Sequence, residues 1–167
     1  GYKHYSREIC NRFIKASKRN GIHVFRVFDA LNDIRNVVDN AEAIKECGGH
    51  FEGAISYTMS PVHTLDSYLE YGQKMKDLGA DSIAIKDMAG LLKPAAARVL
   101  FRAMREATDL PIHFHTHDTS GIAAASVLAA VEEGVDIIDA AMDAFSGNTS
   151  QPCLGSLVAA LEGGPRP

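Results

Sequence analysis

Short runs of apolar and β-branched residues alternate along this chain with longer amphipathic stretches. The runs His23–Asp29 (HVFRVFD), Gly53–Thr58 (GAISYT), Ser82–Asp87 (SIAIKD), Ile112–Asp118 (IHFHTHD) and Asp136–Ala141 (DIIDAA) read as strands. They recur roughly every 30 residues, which leaves room for the crossover of a dozen or more residues that parallel strands require. Between them, Asp33–Cys47, Thr64–Leu78, Pro94–Thr108 and Gly121–Glu133 place apolar residues at helical spacing. Ser6–Lys18 predicts a helix before the first strand, and Leu154–Leu161 another after the last. Gly21, Gly48–Gly49, Gly79 and Gly134 stand where helices exit, and Asn32, Thr64 and Pro94 stand where they begin.

Consecutive parallel strands joined by helices form either an open doubly wound sheet or a barrel. Asp29, Thr58, Asp87, Asp118 and Asp143 gather at strand ends, where a (β/α)8 barrel builds its catalytic face, so the α/β barrel is the expected fold. A closed barrel takes eight βα units and typically ~250 residues. Five strands in 167 residues, opening on a helix, predict a piece of a larger TIM barrel in preference to a small open sheet.

Composition narrows the function classes. With 46% hydrophobic and 23% charged residues the chain can build a sizeable core and does not resemble a disordered protein. A formal net charge of −4 argues against a nucleic-acid partner. No apolar run approaches the roughly 18 residues of a transmembrane segment, and the start GYKHYSREICNRF has no signal-peptide core. Cys10, Cys47 and Cys153 are odd in number and far apart, which fits neither a disulfide framework nor a zinc finger. Free, buried or half-buried thiols in a reducing compartment are expected. The closing Gly163-Gly164-Pro165-Arg166-Pro167 reads as the exit from a folded unit, or as a cut point.

The candidate chemistry lies on two neighbouring strands. Alternation puts His113, His115 and His117 on one face. Three imidazoles are costly as core but suit a divalent metal; hydrogen bonds to nearby carbonyls are the plainer explanation. Lys86 closes the apolar run before them. In a dry barrel mouth its amine has a lowered pKa, so it can form a Schiff base or take up CO2 as a carbamate that ligates a metal. The alternative is a structural bridge to Asp87 or Asp118. These two aspartates each follow a candidate ligand directly, so alternation turns them away from a metal, and they suit orienting an imidazole or anchoring a loop. Arg26, inside a strand, is better explained by a buried bridge than by substrate binding. Asp29 and Asn32 can face the site. Ser146–Pro152 is a polar turn that can bind an anion through its N–H groups or simply join strand to helix.

Together, Phe25-Arg26-Val27-Phe28-Asp29, Ile55-Ser56-Tyr57-Thr58, Ile85-Lys86-Asp87-Met88-Ala89-Gly90-Leu91-Leu92-Lys93-Pro94, His115-Thr116-His117-Asp118-Thr119-Ser120-Gly121 and Thr149-Ser150-Gln151-Pro152 resemble one family along the whole chain. It is the carboxyltransferase domain of biotin-dependent pyruvate carboxylase, shared with the oxaloacetate decarboxylase α subunit and the transcarboxylase pyruvate-binding subunit. The resemblance implies a barrel holding zinc, manganese or cobalt, with Lys86 carboxylated and ligating the metal, and with His115 and His117 as further ligands. His113 lies one pleat deeper and is not expected to ligate. The family's fourth ligand is a first-strand aspartate, and no such motif occurs here. A glutamine from that segment, a substrate-binding arginine and a later threonine that moves the proton to and from biotin are also missing. Residues 1–167 are therefore expected to be a single fragment of a carboxyltransferase barrel, holding its fourth to eighth strands, with the first three missing. Alone it should neither close nor turn over.

The implied reaction is carboxyl transfer between carboxybiotin and pyruvate, giving oxaloacetate. Biotin would be carried on a partner carrier domain or subunit, the metal would stabilise the pyruvate enolate, and the parent would be oligomeric. The implied location is the cytoplasm, or the mitochondrial matrix in a eukaryote. Leu92-Lys93-Pro94-Ala95-Ala96-Ala97 with His117-Asp118-Thr119 looks like the carboxylase branch; Ser60-Pro61-Val62-His63-Thr64 looks more like the decarboxylase and transcarboxylase branch. Two other classes stay open. One is a metal-dependent lyase of the aldol–Claisen type, which typically has Asp-Thr-x-Gly where this chain has Lys86-Asp87-Met88-Ala89-Gly90. The other is a barrel remnant that serves as a non-catalytic scaffold.

Overall fold

The structure is a computed structural model and describes residues 3–164. The Pro165-Arg166-Pro167 part of the expected exit segment lies outside the described residues. The elements run α1 (Arg7–Arg19), β1 (Val24–Phe28), α2 (Val38–Glu46), β2 (His50–Ser56), α3 (Leu65–Asp77), β3 (Ser82–Asp87), α4 (Pro94–Ala107), β4 (Ile112–Thr116), α5 (Ala123–Glu132), β5 (Ile137–Ile138) and α6 (Leu154–Leu161). All strand pairs are parallel, and the sheet order is β1-β2-β3-β4-β5. A doubly wound sheet reverses its strand order part-way; this one does not, as expected for part of a barrel.

The sheet also curls. Laid flat, the first and fifth strands would stand about 19 Å apart, four strand spacings. Yet Arg26 on β1 donates from Nη1 to Asp139 Oδ2, just past β5, at 2.9 Å. One arginine reaches across the concave side.

Register sorts the strand residues into two faces. Val24, Arg26 and Phe28 align with His50, Glu52 and Ala54; Glu52, Ala54 and Ser56 align with Ser82, Ala84 and Lys86; Ala84 and Lys86 align with His113 and His115. This set is mostly polar and points inward. The alternate set, with Phe51, Ile55, Ile83, Ile85, Ile112 and Phe114, is fully buried against the helices. There Met75 of α3 and Phe101 and Met104 of α4 complete the apolar core, with the Phe101 and Phe114 ring centroids 4.9 Å apart. The chain thus places its hydrophobic residues between sheet and helices and its ionisable strand residues on the concave face.

The helix ends follow local rules. Thr64 and Ser67 form a reciprocal capping box on α3, Pro94 opens α4 at its first turn, and Gly21, Gly48, Gly79 and Gly134 all take positive φ at helix exits. Three expectations need correction. The Asp33–Cys47 helix is split: Asp33 accepts from Arg35 N and sets a short 3-10 turn, Ile34–Asn36, ahead of α2. The second strand starts earlier, at His50, whose N–H reaches His23 O. The Asp136–Ala141 strand shrinks to Ile137–Ile138, because it pairs only with β4 and its chain then turns to bridge Ala141 to Cys153. The three cysteines are free and half-buried. Among the described residues no helix is long and apolar enough to cross a membrane.

Candidate metal centre

The concave face carries a dense set of ionisable groups. Deepest is a four-residue cluster. His113 bonds through Nδ1 to Glu52 Oε2 at 2.7 Å and through Nε2 to Asp139 Oδ1 at 2.9 Å. Arg26 donates to the same two carboxylates. Both His113 nitrogens face carboxylate oxygens, which favours the protonated ring, and Arg26 Nη2 lies 3.0 and 3.2 Å from the same nitrogens. Arg26 and His113 then balance Glu52 and Asp139 charge for charge, which makes so polar a cluster tolerable in a buried place. Burial alone would lower the His113 pKa, but the bonds to Asp139 and Glu52 outweigh it and raise it. Burial would likewise raise Asp139, yet three donors, His113, His115 and Arg26, hold it far below the usual carboxylate range. Arg26 is therefore the bridging residue the sequence suggested, and both His113 nitrogens are taken up by this cluster rather than turned toward a metal.

One pleat toward the strand ends, the arrangement changes. His115 donates from Nδ1 to Asp139 Oδ2 at 2.6 Å, and His117 from Nδ1 to the carbonyl of Thr149 at 2.6 Å. With the δ nitrogens so committed as donors, the lone pair each ring can offer a ligand lies on Nε2. Those two Nε2 atoms face each other at 3.1 Å. At that distance the pair needs either a shared proton, as an N–H···N bond, or a cation between the two nitrogens. Two imidazole nitrogens each about 2.1 Å from one ion are separated by a similar amount. The donor set therefore fits a divalent metal. Among the described residues no group of three His, Cys, Asp or Glu converges on a point, so any further ligand must be of another kind or come from elsewhere.

Lys86 is the available other kind. It aligns with His115 in the β3–β4 register and is 8% exposed. Its Nζ lies 4.8 Å over the Phe28 ring and against Met88 Sδ, with no carboxylate partner among the described residues. Burial, and secondarily the nearby Arg26 charge, lowers its pKa. The structural bridge to Asp87 or Asp118 does not form. Asp87 is fully buried on the opposite face, where it accepts from Leu91 N, Leu92 N and the Thr116 hydroxyl. Asp118 accepts from Ala123 N at the start of α5. Both anchor loops, and neither touches an imidazole. That task falls to Asp139 and the Thr149 carbonyl, which the sequence reading did not single out. Asp139 could have been found by the argument applied to Arg26, a charge placed within an apolar strand.

The loops hold this geometry. Asp29 accepts from Leu31 N, Asp33 N and Asn36 Nδ2, and the Asn32 side-chain amide brackets the Ser56 N–H and C=O, so both serve the β1 loop rather than the site. The Ser146–Pro152 turn is closed by Gly147 N to Gln151 O and Ser150 N to Gly147 O, with Gly147 and Asn148 at positive φ. It presents the Thr149 carbonyl to His117, and Ser150 O accepts from Asp118 N.

The HMGL-like family model matches residues 10–166. The chain belongs to the HMGL-like family. Among HMGL-like relatives, a pyruvate carboxylase subunit of Methanocaldococcus jannaschii is 46% identical over 163 residues, covering 98% of this chain and 29% of that protein. The methylmalonyl-CoA carboxyltransferase 5S subunit of Propionibacterium freudenreichii subsp. shermanii is 42% identical over 165 residues, covering 98% and 33%. The carboxyl transferase domain of Rhizobium etli pyruvate carboxylase, solved with pyruvate, superposes with a TM-score of 0.97 at 56% identity, over 99% of this chain and 29% of that one. This HMGL-like chain thus spans about a third or less of the length of these relatives.

Proposed function

We propose that residues 1–167 are one part of a carboxyltransferase barrel that moves a carboxyl group between carboxybiotin and pyruvate, giving or consuming oxaloacetate. The observation that carries this reading is the pair of imidazole Nε2 atoms facing each other at 3.1 Å, next in register to a buried lysine that has no carboxylate partner among the described residues. His115 and His117 would hold the ion, and Lys86 would supply an oxygen ligand as its carbamate. A bound divalent ion (zinc, manganese or cobalt) supplies Lewis acidity for the developing enolate. Burial favours the free amine of Lys86; its nitrogen lone pair would attack CO2, forming an N–C bond as one C=O π bond opens to a carboxylate, and the nitrogen would pass its proton to water. Asp139 and Thr149 fix the two rings. The fourth ligand and the remaining strands would come from sequence outside this chain, as would the biotin carrier and the oligomer contacts. The relationship to mouse mitochondrial pyruvate carboxylase supports a matrix location if the source is a eukaryote, and the cytoplasm is the corresponding compartment otherwise.

The test is Lys86→Ala in the full-length polypeptide carrying this chain. Transfer of carboxyl from carboxybiotin to pyruvate should fall by more than ~100-fold, and metal retained after chelation should drop. Full activity in that variant would refute the role given to Lys86. The aldol–Claisen alternative predicts no CO2 adduct at Lys86, which gentle mass spectrometry of the folded protein distinguishes.

A further inference from the structure

Asp139, which faces the His115 ring, is held by more groups than its position would suggest. It lies just past β5, the shortest strand, yet it accepts hydrogen bonds from three different residues on two strands. His115 Nδ1 reaches Oδ2 at 2.6 Å, Arg26 Nη1 reaches the same oxygen at 2.9 Å, and His113 Nε2 reaches Oδ1 at 2.9 Å. Its own N–H is fixed to Phe114 O at 3.1 Å, so the carboxylate cannot drift along the sheet. A carboxylate without a proton can only accept. The His115 ring must therefore present N–H at Nδ1, and its Nε2 is left with the lone pair that a cation needs. Were the proton on Nε2 instead, it would point at His117 and block the ion.

We propose that Asp139 is a positioning residue of the metal centre, fixing His115 in the Nδ1–H tautomer and tying that ring through Arg26 to β1 and β2 across the concave face. Arg26 matters because it occupies the same Asp139 oxygen as His115 and keeps the carboxylate from rotating away. An asparagine in place of Asp139 keeps the shape but offers an N–H on one side, so it can bond His115 Nδ1 as donor and push the ring proton to Nε2.

This proposal rests on the metal reading above, and the experiment separates the two. Cobalt(II) titration of the metal-free full-length polypeptide, followed by its visible absorption, should show tight binding in the parent and a ~10–100-fold weaker affinity in Asp139→Asn. Asp81→Asn serves as the comparison, since Asp81 bonds Phe51 N and Lys45 Nζ and touches neither the ligand rings nor the Arg26 cluster. It should lower thermal stability slightly while leaving cobalt affinity within ~3-fold. Affinity in Asp139→Asn equal to the parent's overturns the positioning role, as does an equal loss in Asp81→Asn, which would mean general loosening. A parent that binds no cobalt overturns the metal reading and the role built on it. If Asp139→Asn does not fold, 15N-histidine spectra of the metal-free parent at alkaline pH decide: a neutral His115 ring protonated at Nδ1 supports the proposal, and one protonated at Nε2 refutes it.

Discussion

Gly90 adopts φ +63°, and a Cβ built on it would lie 2.4 Å from the backbone oxygen of His117 and 3.1 Å from Ser120 Oγ. The loop after β3 therefore passes directly over the residue that presents the second imidazole. Ser120 Oγ also donates to Gly90 O at 2.6 Å, pinning the two loops together. Gly90→Ala should cost about 2–4 kcal/mol, roughly 1 from the left-handed backbone and the rest from displaced backbone atoms. Because the displaced atoms belong to His117, metal retention should fall as well; chemical denaturation and chelator competition read the two effects. A variant as stable as the parent would show that the loop yields without strain. Part of this was legible in the sequence. Lys86, His115 and His117 stood out because charged or metal-binding types interrupt apolar strands, and alternation put the histidines on one face. The groups that orient the rings were harder. Thr149 acts through its carbonyl, which any residue type carries, so nothing in the sequence marks it. For Asp87 and Asp118 adjacency allowed either orienting an imidazole or anchoring a loop; their carboxylates accept from Leu91 N, Leu92 N and the Thr116 hydroxyl and from Ala123 N, which is the anchoring role.

The same carboxylate-to-backbone device recurs between elements. Asp81, at the turn into β3, accepts from Phe51 N of β2 at 2.8 Å and from Lys45 Nζ of α2 at 3.1 Å. Burial would raise its pKa, but the Phe51 bond and Lys45 outweigh it and the pKa is lowered. A carboxylate with a lowered folded pKa contributes stability above its unfolded pKa, about 3.9, and loses it as pH falls through the folded value. Asp81→Asn, which can still accept from Phe51 N, should thus be less stable than the parent at neutral pH by about 1 kcal/mol or less, since the side chain is over a third exposed. The gap should close below about pH 4. Urea titrations across pH measure it, and a gap that widened in acid would have the wrong sign. At this scale Ser82–Asp87 and Leu154–Leu161 were read to the residue. Helix ends were accurate to within about two residues where glycine, threonine or proline set them. The misreadings fell where a partner decides: Asp136–Ala141 has strand composition along its length, but only its pairing with β4 determines how much becomes ladder.

The whole molecule is a curled sheet with two open sides. Among the described residues β1 pairs only with β2, and β5 only with β4. Edge strands leave half their N–H and C=O groups without a ladder partner. Their inward-facing apolar side chains are exposed as well, because the concave side is open there: Val24 by 54%, Phe28 by 46% and Ile137 by 44%. In β3, by contrast, every residue from Ser82 to Asp87 is buried. Stability should therefore be graded from the centre outward, since local opening follows buried contacts and solvent access. In hydrogen exchange of the 167-residue chain, amides of β2, β3 and β4 should outlast those of β1 and β5 by at least ~10-fold. In a longer polypeptide completing the proposed barrel, new strands would pair both edges, and β1 and β5 should slow toward the rate of β3. Slow exchange at β1 in the short chain would mean that its edge is already covered, for instance by a second copy. Unchanged edges in the long chain would mean that the sheet does not close. The same comparison bears on the chemistry, because Arg26 on β1 and Asp139 beyond β5 face each other across the concave side. Closing the cylinder should leave that contact in place and remove water from around it, which strengthens both the Arg26–Asp139 bond and the hold of Asp139 on His115.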